Sequence, residues 1–449
     1  MSQKAPGTSD AKSHGIKRYI VASLIGNSLE WYDFFLYATA AAIVFGKLFF
    51  PAGTDPLVGT LGAFVGFAVG FAARPFGGIL FGHIGDRVSR KTALVLTLTI
   101  MGIATFLMGL LPTYQQVGIW APILLVVLRV LQGIAAGGEW GGGVLIISEN
   151  SSDKRRGLFS AFSQGGVTLG FVLASAAFYL AQLLPEEQFL AWGWRLPFLV
   201  SILLFGVGMY IRFRLPETKE FEQVKNDGER AALPVLTALR THPKEILVAM
   251  GLRMAENGGS YLLLSFSLVY GVHVGVERGT LLLGVMLSML FAFCTIVFFG
   301  HLSDKIGRRK VYAIGATALA LMAFPFFWLI DSNSPGLIVL AYFIGNGICH
   351  AAMIGAQPAF FHELFSPEVR YSGMALGHEV AAVFAGGLAP FIATALLLTY
   401  NSSTPVALYA IGLAAITLIA LVFSRNVGQH RTSPTDTQKH IDDTRVARR

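Results

Sequence analysis

Twelve stretches of about twenty predominantly apolar residues recur along the chain, more than any soluble core accommodates. They cover roughly 18–46, 57–82, 92–111, 119–149, 158–183, 192–214, 245–272, 279–300, 311–330, 335–362, 372–398 and 403–424. Hydrocarbon offers the backbone no hydrogen-bond partner, so an open strand cannot span it and each run reads as a helix. Composition agrees: 13% of the 449 residues are charged and 54% are hydrophobic, against about 25% charged in an average soluble domain. The 50 glycines suit membrane helices, whose backbones approach closely where side chains are small. The expected fold is an all-α integral membrane protein with twelve transmembrane helices.

Positive charge sets the orientation, because Lys and Arg concentrate in cytoplasmic loops. Of 34 such residues, 28 fall in the two tails and the alternate loops between them. Lys47, Arg195 and Arg278 lie on the other side, and Arg74, Arg129 and Arg253 lie inside helices. Both termini are therefore expected in the cytoplasm of an inner-membrane protein. The net charge of +8 is a topology signal and not a nucleic-acid surface. The polar N-terminus and the length of the first apolar run do not read as a cleavable signal peptide.

The longest polar interruption, 216–244, divides the helices six and six. The expected organisation is a tail (1–17), a first bundle (18–215), a cytoplasmic central loop (216–244), a second bundle (245–424) and a C-terminal tail (425–449). Internal similarity supports a duplicated unit. "GHIGDRVSRK" (82–91) is echoed by "GHLSDKIGRRK" (300–310), Glu149 and Arg156 recur as Glu363 and Arg370, and "QGI" at 132 as "NGI" at 346. In the repeated loop, Gly82 and Gly300 permit a tight turn. Asp86 and Asp304 suit the exposed N–H groups at a neighbouring helix start, where the helix dipole favours an anion. Arg87, Arg90, Arg308 and Arg309 are placed to pair with Glu149 or Glu363 at the ends of helices 4 and 10. Such contacts hold two halves together in one conformation and release them in another.

Both loops resemble the signature loop of the major facilitator superfamily, although Ser89 stands where its first copy usually has Gly. "RVLQGIAAGGEWGGG" (129–143) is similar to the superfamily's helix 4 motif, which is linked to proton coupling. "EWYDFFLY" (30–37), "GGEWGGG" (137–143), "WGWRLPFL" (192–199) and "PEVRYSG" (367–373) resemble the metabolite:proton symporter branch, near its shikimate-type members. The resemblance covers nearly the whole chain. It implies two six-helix bundles rocking about a midplane site and moving a small metabolite with a proton.

The charges inside helices point the same way, since mid-membrane charge is costly and usually functional. Glu30 and Asp33 stand i, i+3 on one face of helix 1, with Tyr37 close to that face. Two acids together in a low dielectric favour a protonated member, as a proton carrier requires. Asp33 is the preferred proton site, with Arg129 of helix 4 expected to face the pair. Arg253 and Glu256 form a second i, i+3 pair, followed by "NGGS", where a helix break is expected to line a cavity. Arg253 is the first candidate for a substrate carboxylate, which guanidinium binds bidentately, and Arg74 the second. The competing reading for each is internal pairing. Tyr261 and Gln357 are candidate pore-lining residues, His350, His378 and Glu379 weaker ones, and Glu139 is divided between packing and function.

Cys294 and Cys349 form no metal or disulfide pattern. The Gly-rich run at 135–143 follows no strand and lacks the G-K-[ST] of a phosphate loop. The chain therefore reads as an ion-driven carrier without cofactor or metal, using a proton as coupling ion. It is expected to be monomeric, surrounded by lipid, and to take up a small organic anion. Symport of a zwitterion such as proline or betaine and proton-driven export are the transport alternatives. A membrane sensor would need a sizeable output domain, and an enzyme a nucleophile or ligand cluster.

Overall fold

The computed structural model describes residues 8–87, 90–137, 155–214, 239–365 and 370–425. Within the described residues, each of the twelve apolar runs contains a helix. In chain order these are α1 (Thr8–Ala40), α2 (Pro56–Arg87), α3 (Arg90–Leu110), α4 (Trp120–Ala136), α5 (Arg156–Ala181) and α6 (Leu196–Arg214). The second series is α7 (243–273), α8 (Arg278–Ile306), α9 (Arg308–Asp331), α10 (Pro335–Leu364), α11 (370–400) and α12 (Thr404–Phe423). Among the described residues, eight helices are long and apolar enough to cross a membrane, and two shorter apolar ones fall in α3 and α4. The charge-bearing α1 and α7 complete the set.

The duplication is visible in the packing. In the first half α1 lies on α5, α2 on α4 and α3 on α6; in the second, α7 lies on α11, α8 on α10 and α9 on α12. The halves meet along α5–α8 and α2–α11, again equivalent pairs. The closest approach is between α2 and α4. A Cβ on Gly133 would collide with the Gly70 carbonyl, and one on Gly77 with the Ile134 carbonyl. This backbone-to-backbone contact fixes the rotation of both helices, and with it where Arg74 and Arg129 point.

The expected break at "NGGS" does not occur. Instead α7 remains helical and widens into two π-helical segments, Met254–Gly258 and Leu262–Phe266. Similar segments interrupt α10 at Gly345–His350 and α11 at Val383–Gly387, and extend α1 over Ala41–Phe45. A π-turn inserts a residue while keeping backbone hydrogen bonds, so side chains are re-aimed without exposing polar backbone. In α7 and α10 these turns contain Glu256 and His350.

Candidate functional site

Among the described residues, the helices bury four carboxylates and three guanidinium groups near mid-membrane. Glu30 and Asp33 come from α1, Arg74 from α2, Arg129 from α4, Arg253 and Glu256 from α7, and Glu379 from α11; each is at most 6% exposed. Charges this deep persist only when paired, hydrogen-bonded or stacked.

Arg74 joins the halves. Its Nε lies 2.8 Å from Glu379 Oε2, its Nη2 donates to Glu379 Oε1 (3.5 Å), and Nη2 is 3.7 Å from Glu30 Oε1. Its guanidinium also lies over Phe34 and Phe71. His378 Nδ1 approaches the same Glu379 at 3.0 Å.

Arg129 faces Asp33 but does not pair with it. It forms no ion pair with Glu30 or Asp33; the arginine that meets Glu30 is Arg74. Arg129 Nη1 donates to Gln132 Oε1 (2.8 Å), and Gln132 Nε2 donates to Thr105 Oγ1 (2.6 Å). Its guanidinium is sandwiched by rings, 4.3 Å from the centroid of Tyr37, 4.4 Å from Phe34 and 4.8 Å from Phe67. Cation–π contact substitutes for a carboxylate here. Asp33 faces Thr105 and Arg129, with no ion partner within 4.0 Å among the described residues.

The second half holds a compact network. Arg253 Nη1 lies 3.2 Å from Glu256 Oε2 and donates to Gln357 Oε1 (3.2 Å). Gln357 Nε2 donates to Glu256 Oε2 (2.9 Å) and to the Tyr312 hydroxyl (3.2 Å), which in turn donates to the Leu252 carbonyl (2.8 Å). His350 Nε2 stands 3.4 Å from Glu256 Oε1. Arg253 therefore has an internal carboxylate, while its Nε has no hydrogen-bond partner.

Between the halves lies a cavity of about 30 Å³, room for about two waters. Arg253, Glu256, Tyr261 and Gln357 line it, as do His350 and His378. Arg74 and Tyr37 do not. The Tyr37 hydroxyl donates to the Ala63 carbonyl (3.0 Å) and its ring supports Arg129, so Tyr37, a candidate substrate residue, stands behind Arg129 rather than on the cavity wall. Tyr261 projects from α7 among Phe35, Phe67 and Phe71 of the first half. Trp31, Gln164, Thr168 and Asn257 also face the cavity. Isolated polar residues in α5 have no periodic signature, which is why the sequence did not single out Gln164.

Among the described residues, the halves are in contact at both ends. At the cytoplasmic end, Asp304 at the end of α8 accepts from Gly157 N (2.9 Å) and Leu158 N (3.0 Å), the exposed amides that begin α5 of the other half. Gly157 and Gly300 touch backbone to backbone there. Arg308 bridges Asp304 (3.2 Å) and Glu363. Arg309 donates to the Leu421 carbonyl of α12 rather than to an acid. The turn between α8 and α9 is made by Gly307 at φ +98°, a conformation open to glycine. Glu139 and Glu149 lie outside the described residues, as do the side chains of Asp86, Arg87 and Arg90; Gly82 lies within α2.

At the opposite end Glu186, just before α6, lies 3.3 Å from Lys47 and 3.6 Å from Arg278 at the start of α8. These two cations hold its carboxyl below the usual carboxylate range, with Lys47 the larger influence. This bridge between halves was not anticipated, since the sequence marks its members only as exceptions to the charge bias.

The family model of the Major Facilitator Superfamily matches residues 24–377 and 257–446. The chain belongs to the Major Facilitator Superfamily. It is a multi-pass inner-membrane transporter and not an enzyme. It is 41% identical to the shikimate transporter of Escherichia coli K12 over 386 residues, 85% of this chain and 88% of that one. It is 38% identical to the inner membrane metabolite transport protein YhjE of the same organism, over 91% and 93% of the two chains. The E. coli K12 proline/betaine transporter is 35% identical, over 90% and 82%. Among solved structures, the proton:xylose symporter XylE bound to 6-bromo-6-deoxy-D-glucose superposes with a TM-score of 0.69 at 14% identity, over 92% and 96% of the chains. That likeness concerns the fold, in which the transporter takes its place.

Proposed function

We propose that this transporter carries a small organic acid inward together with a proton, by alternating exposure of the midplane site. The observation that carries the proton claim is the buried charge balance. Among the described residues, four mid-membrane carboxylates face three guanidiniums, and Asp33 is the acid without an ion partner within 4.0 Å. Counting carboxylates against guanidiniums alone, these described residues hold one excess negative charge. A single proton on Asp33 removes it. Burying an uncompensated charge is strongly unfavourable, so protonation favours the closed, loaded carrier.

On this reading Glu30 and Arg129 set the electrostatics of Asp33. Arg253 holds the substrate carboxylate, exchanging part of its contact with Glu256 for the ligand, with Tyr261 and Gln357 beside it. Arg74 acts as the tie between halves. The contacts of Asp304, Arg308 and Glu363 close the cytoplasmic end, and the Asp86 loop with Glu149 is the matching element of the first half. Coupling follows if proton and substrate prefer the same conformation, since a ligand without differential affinity shifts nothing. The similarity to the shikimate transporter supports an acid substrate.

The test is uptake of labelled shikimate into proteoliposomes with an imposed pH gradient, inside alkaline. Accumulation that collapses when the gradient is dissipated supports the reading. Uptake indifferent to the gradient contradicts symport, and uptake of proline or betaine instead of acids replaces the substrate class.

A further inference from the structure

The cavity wall contains polar groups that the protein itself leaves unpaired. Trp31 Nε1, the Gln164 side-chain nitrogen, Asn257 Oδ1 and the Tyr261 hydroxyl are buried without a hydrogen-bond partner, and all four residues line the cavity. Trp31 is 6% exposed, Gln164 3% and Tyr261 1%. Buried polar groups in folded proteins are nearly always bonded. A cluster of exceptions around one cavity marks where a ligand's own polar atoms belong.

The two groups from the first half are rigidly placed. Asn27 Nδ2 donates to the Ser163 carbonyl (2.9 Å), and α1 and α5 touch at Gly166 and Gly170, where a Cβ would collide with α1 backbone. Trp31 and Gln164 thus sit on adjacent, tightly packed helices and face the same space as Tyr261 and Asn257 of α7. An indole N–H only donates, so its partner must be an acceptor oxygen. Amide and phenol groups both donate and accept, which suits hydroxyl groups.

The rings argue against a methylated ammonium. A cage for such a cation needs open aromatic faces. Here Trp31 stacks on Phe35 with centroids 5.3 Å apart, and Phe35 lies 3.9 Å from Phe171. Glu256, the carboxylate of the lining, is already engaged by Arg253, His350 and Gln357.

We infer that Trp31 and Gln164 are specificity-determining residues that hydrogen-bond the hydroxyl oxygens of a hydroxylated carboxylate, facing Tyr261 and Asn257 across the cavity. The inference rests on the acid-transport reading and extends it to the substrate's hydroxyl groups. A trimethylammonium zwitterion offers these groups nothing, and an acid without hydroxyls leaves them unpaired. Sites built to bond a hydroxyl reject analogues that lack it far more strongly than apolar pockets reject a methylene.

The experiment compares KM for shikimate with the inhibition constants of cyclohex-1-ene carboxylate, which lacks the hydroxyls, and of glycine betaine. It uses the full-length protein in proteoliposomes under a pH gradient. Trp31→Phe keeps a ring and removes the N–H; Gln164→Met keeps the length and removes the amide. The wild type is expected to prefer shikimate over the bare acid by at least about 100-fold. Each variant is expected to reduce that ratio about tenfold, the worth of one hydrogen bond, by raising the shikimate KM. A ratio is insensitive to how much variant folds. Unchanged ratios in both variants, or betaine competing as well as shikimate, would overturn this assignment alone. A wild type that accumulates no acid overturns the acid-transport reading and this assignment with it.

Discussion

Arg74 Nε and Glu379 Oε2 stand 2.8 Å apart on helices from opposite halves of the transporter, both buried. Such a pair is weak evidence for net stability but expensive to break on one side only, at about 3–5 kcal/mol. Glu379→Gln and Arg74→Gln are each expected to lower apparent unfolding stability in detergent by on the order of 3 kcal/mol. The double variant should lose less than the two single losses together, because neither member of the pair is left facing an absent partner, although Glu30 loses Arg74 in it as in the Arg74 variant. Additive losses in denaturant titrations would show that the two side chains are not energetically coupled.

The contact between Asp304 and the first amides of α5 joins the end of α8 in one half to the start of α5 in the other. Asp304→Asn keeps size and one acceptor but removes the charge that the helix start favours. The cytoplasmic end should then open more often. In a Ser160→Cys background, with Ser160 fully buried at present, alkylation by a membrane-impermeant maleimide from the cytoplasmic side should speed up at least about fivefold, the order expected from one lost charge-assisted bond. An unaltered rate would remove Asp304 from closure.

The Glu186 bridge behaves differently because it is exposed to solvent, so salt screens it. Its carboxyl is held below the usual range by Lys47 and Arg278. A depressed group contributes its stabilisation above the uncoupled carboxyl range and loses it only as pH falls through the lowered value. Acidifying the extracytoplasmic side from about 7 to about 5 should therefore leave the bridge intact, since an unperturbed Glu titrates near 4.3. High salt, or Glu186→Gln, should increase labelling of a cysteine placed at Gly279. Opening by mild acid and not by salt would contradict the assignment.

Arg129 tests stacking against charge. Lys keeps the charge but not the planar, ring-stacked guanidinium. Arg129→Lys should reduce the maximal transport rate at least about tenfold, given the 1–2 kcal/mol a buried cation–π contact contributes. Wild-type transport in this variant would leave only the charge at this position important.

Much of this architecture is written in the chain. Apolar runs locate helices because lipid imposes their length, and "GHLSDKIGRRK" announces the anion role of Asp304, whereas its turn is made by Gly307 and the expected turn glycine, Gly300, lies inside α8 against Gly157. Partner choice is less legible. Helix 1 offers acids and three helices offer arginines, and which arginine meets Glu30 depends on helix rotation. The Gly70–Gly133 contact sets that rotation, turning Arg129 onto Tyr37 and Phe34 and giving Glu30 to Arg74. The π-turns of α7 and α10 likewise shift facing by a fraction of a turn, which simple i, i+3 counting does not foresee. Trp31 stood inside a recognised motif, but its unpaired N–H is a three-dimensional fact.

In the proposed mechanism Asp33 carries the coupling proton. The direct measurement compares Asp33→Asn with the wild type in proteoliposomes, following both pH-driven accumulation and substrate exchange across the membrane at equal pH. The account predicts that accumulation disappears while exchange persists, because the neutral side chain mimics the protonated carrier and cannot return empty with its charge restored. Accumulation at the wild-type level in Asp33→Asn would contradict it.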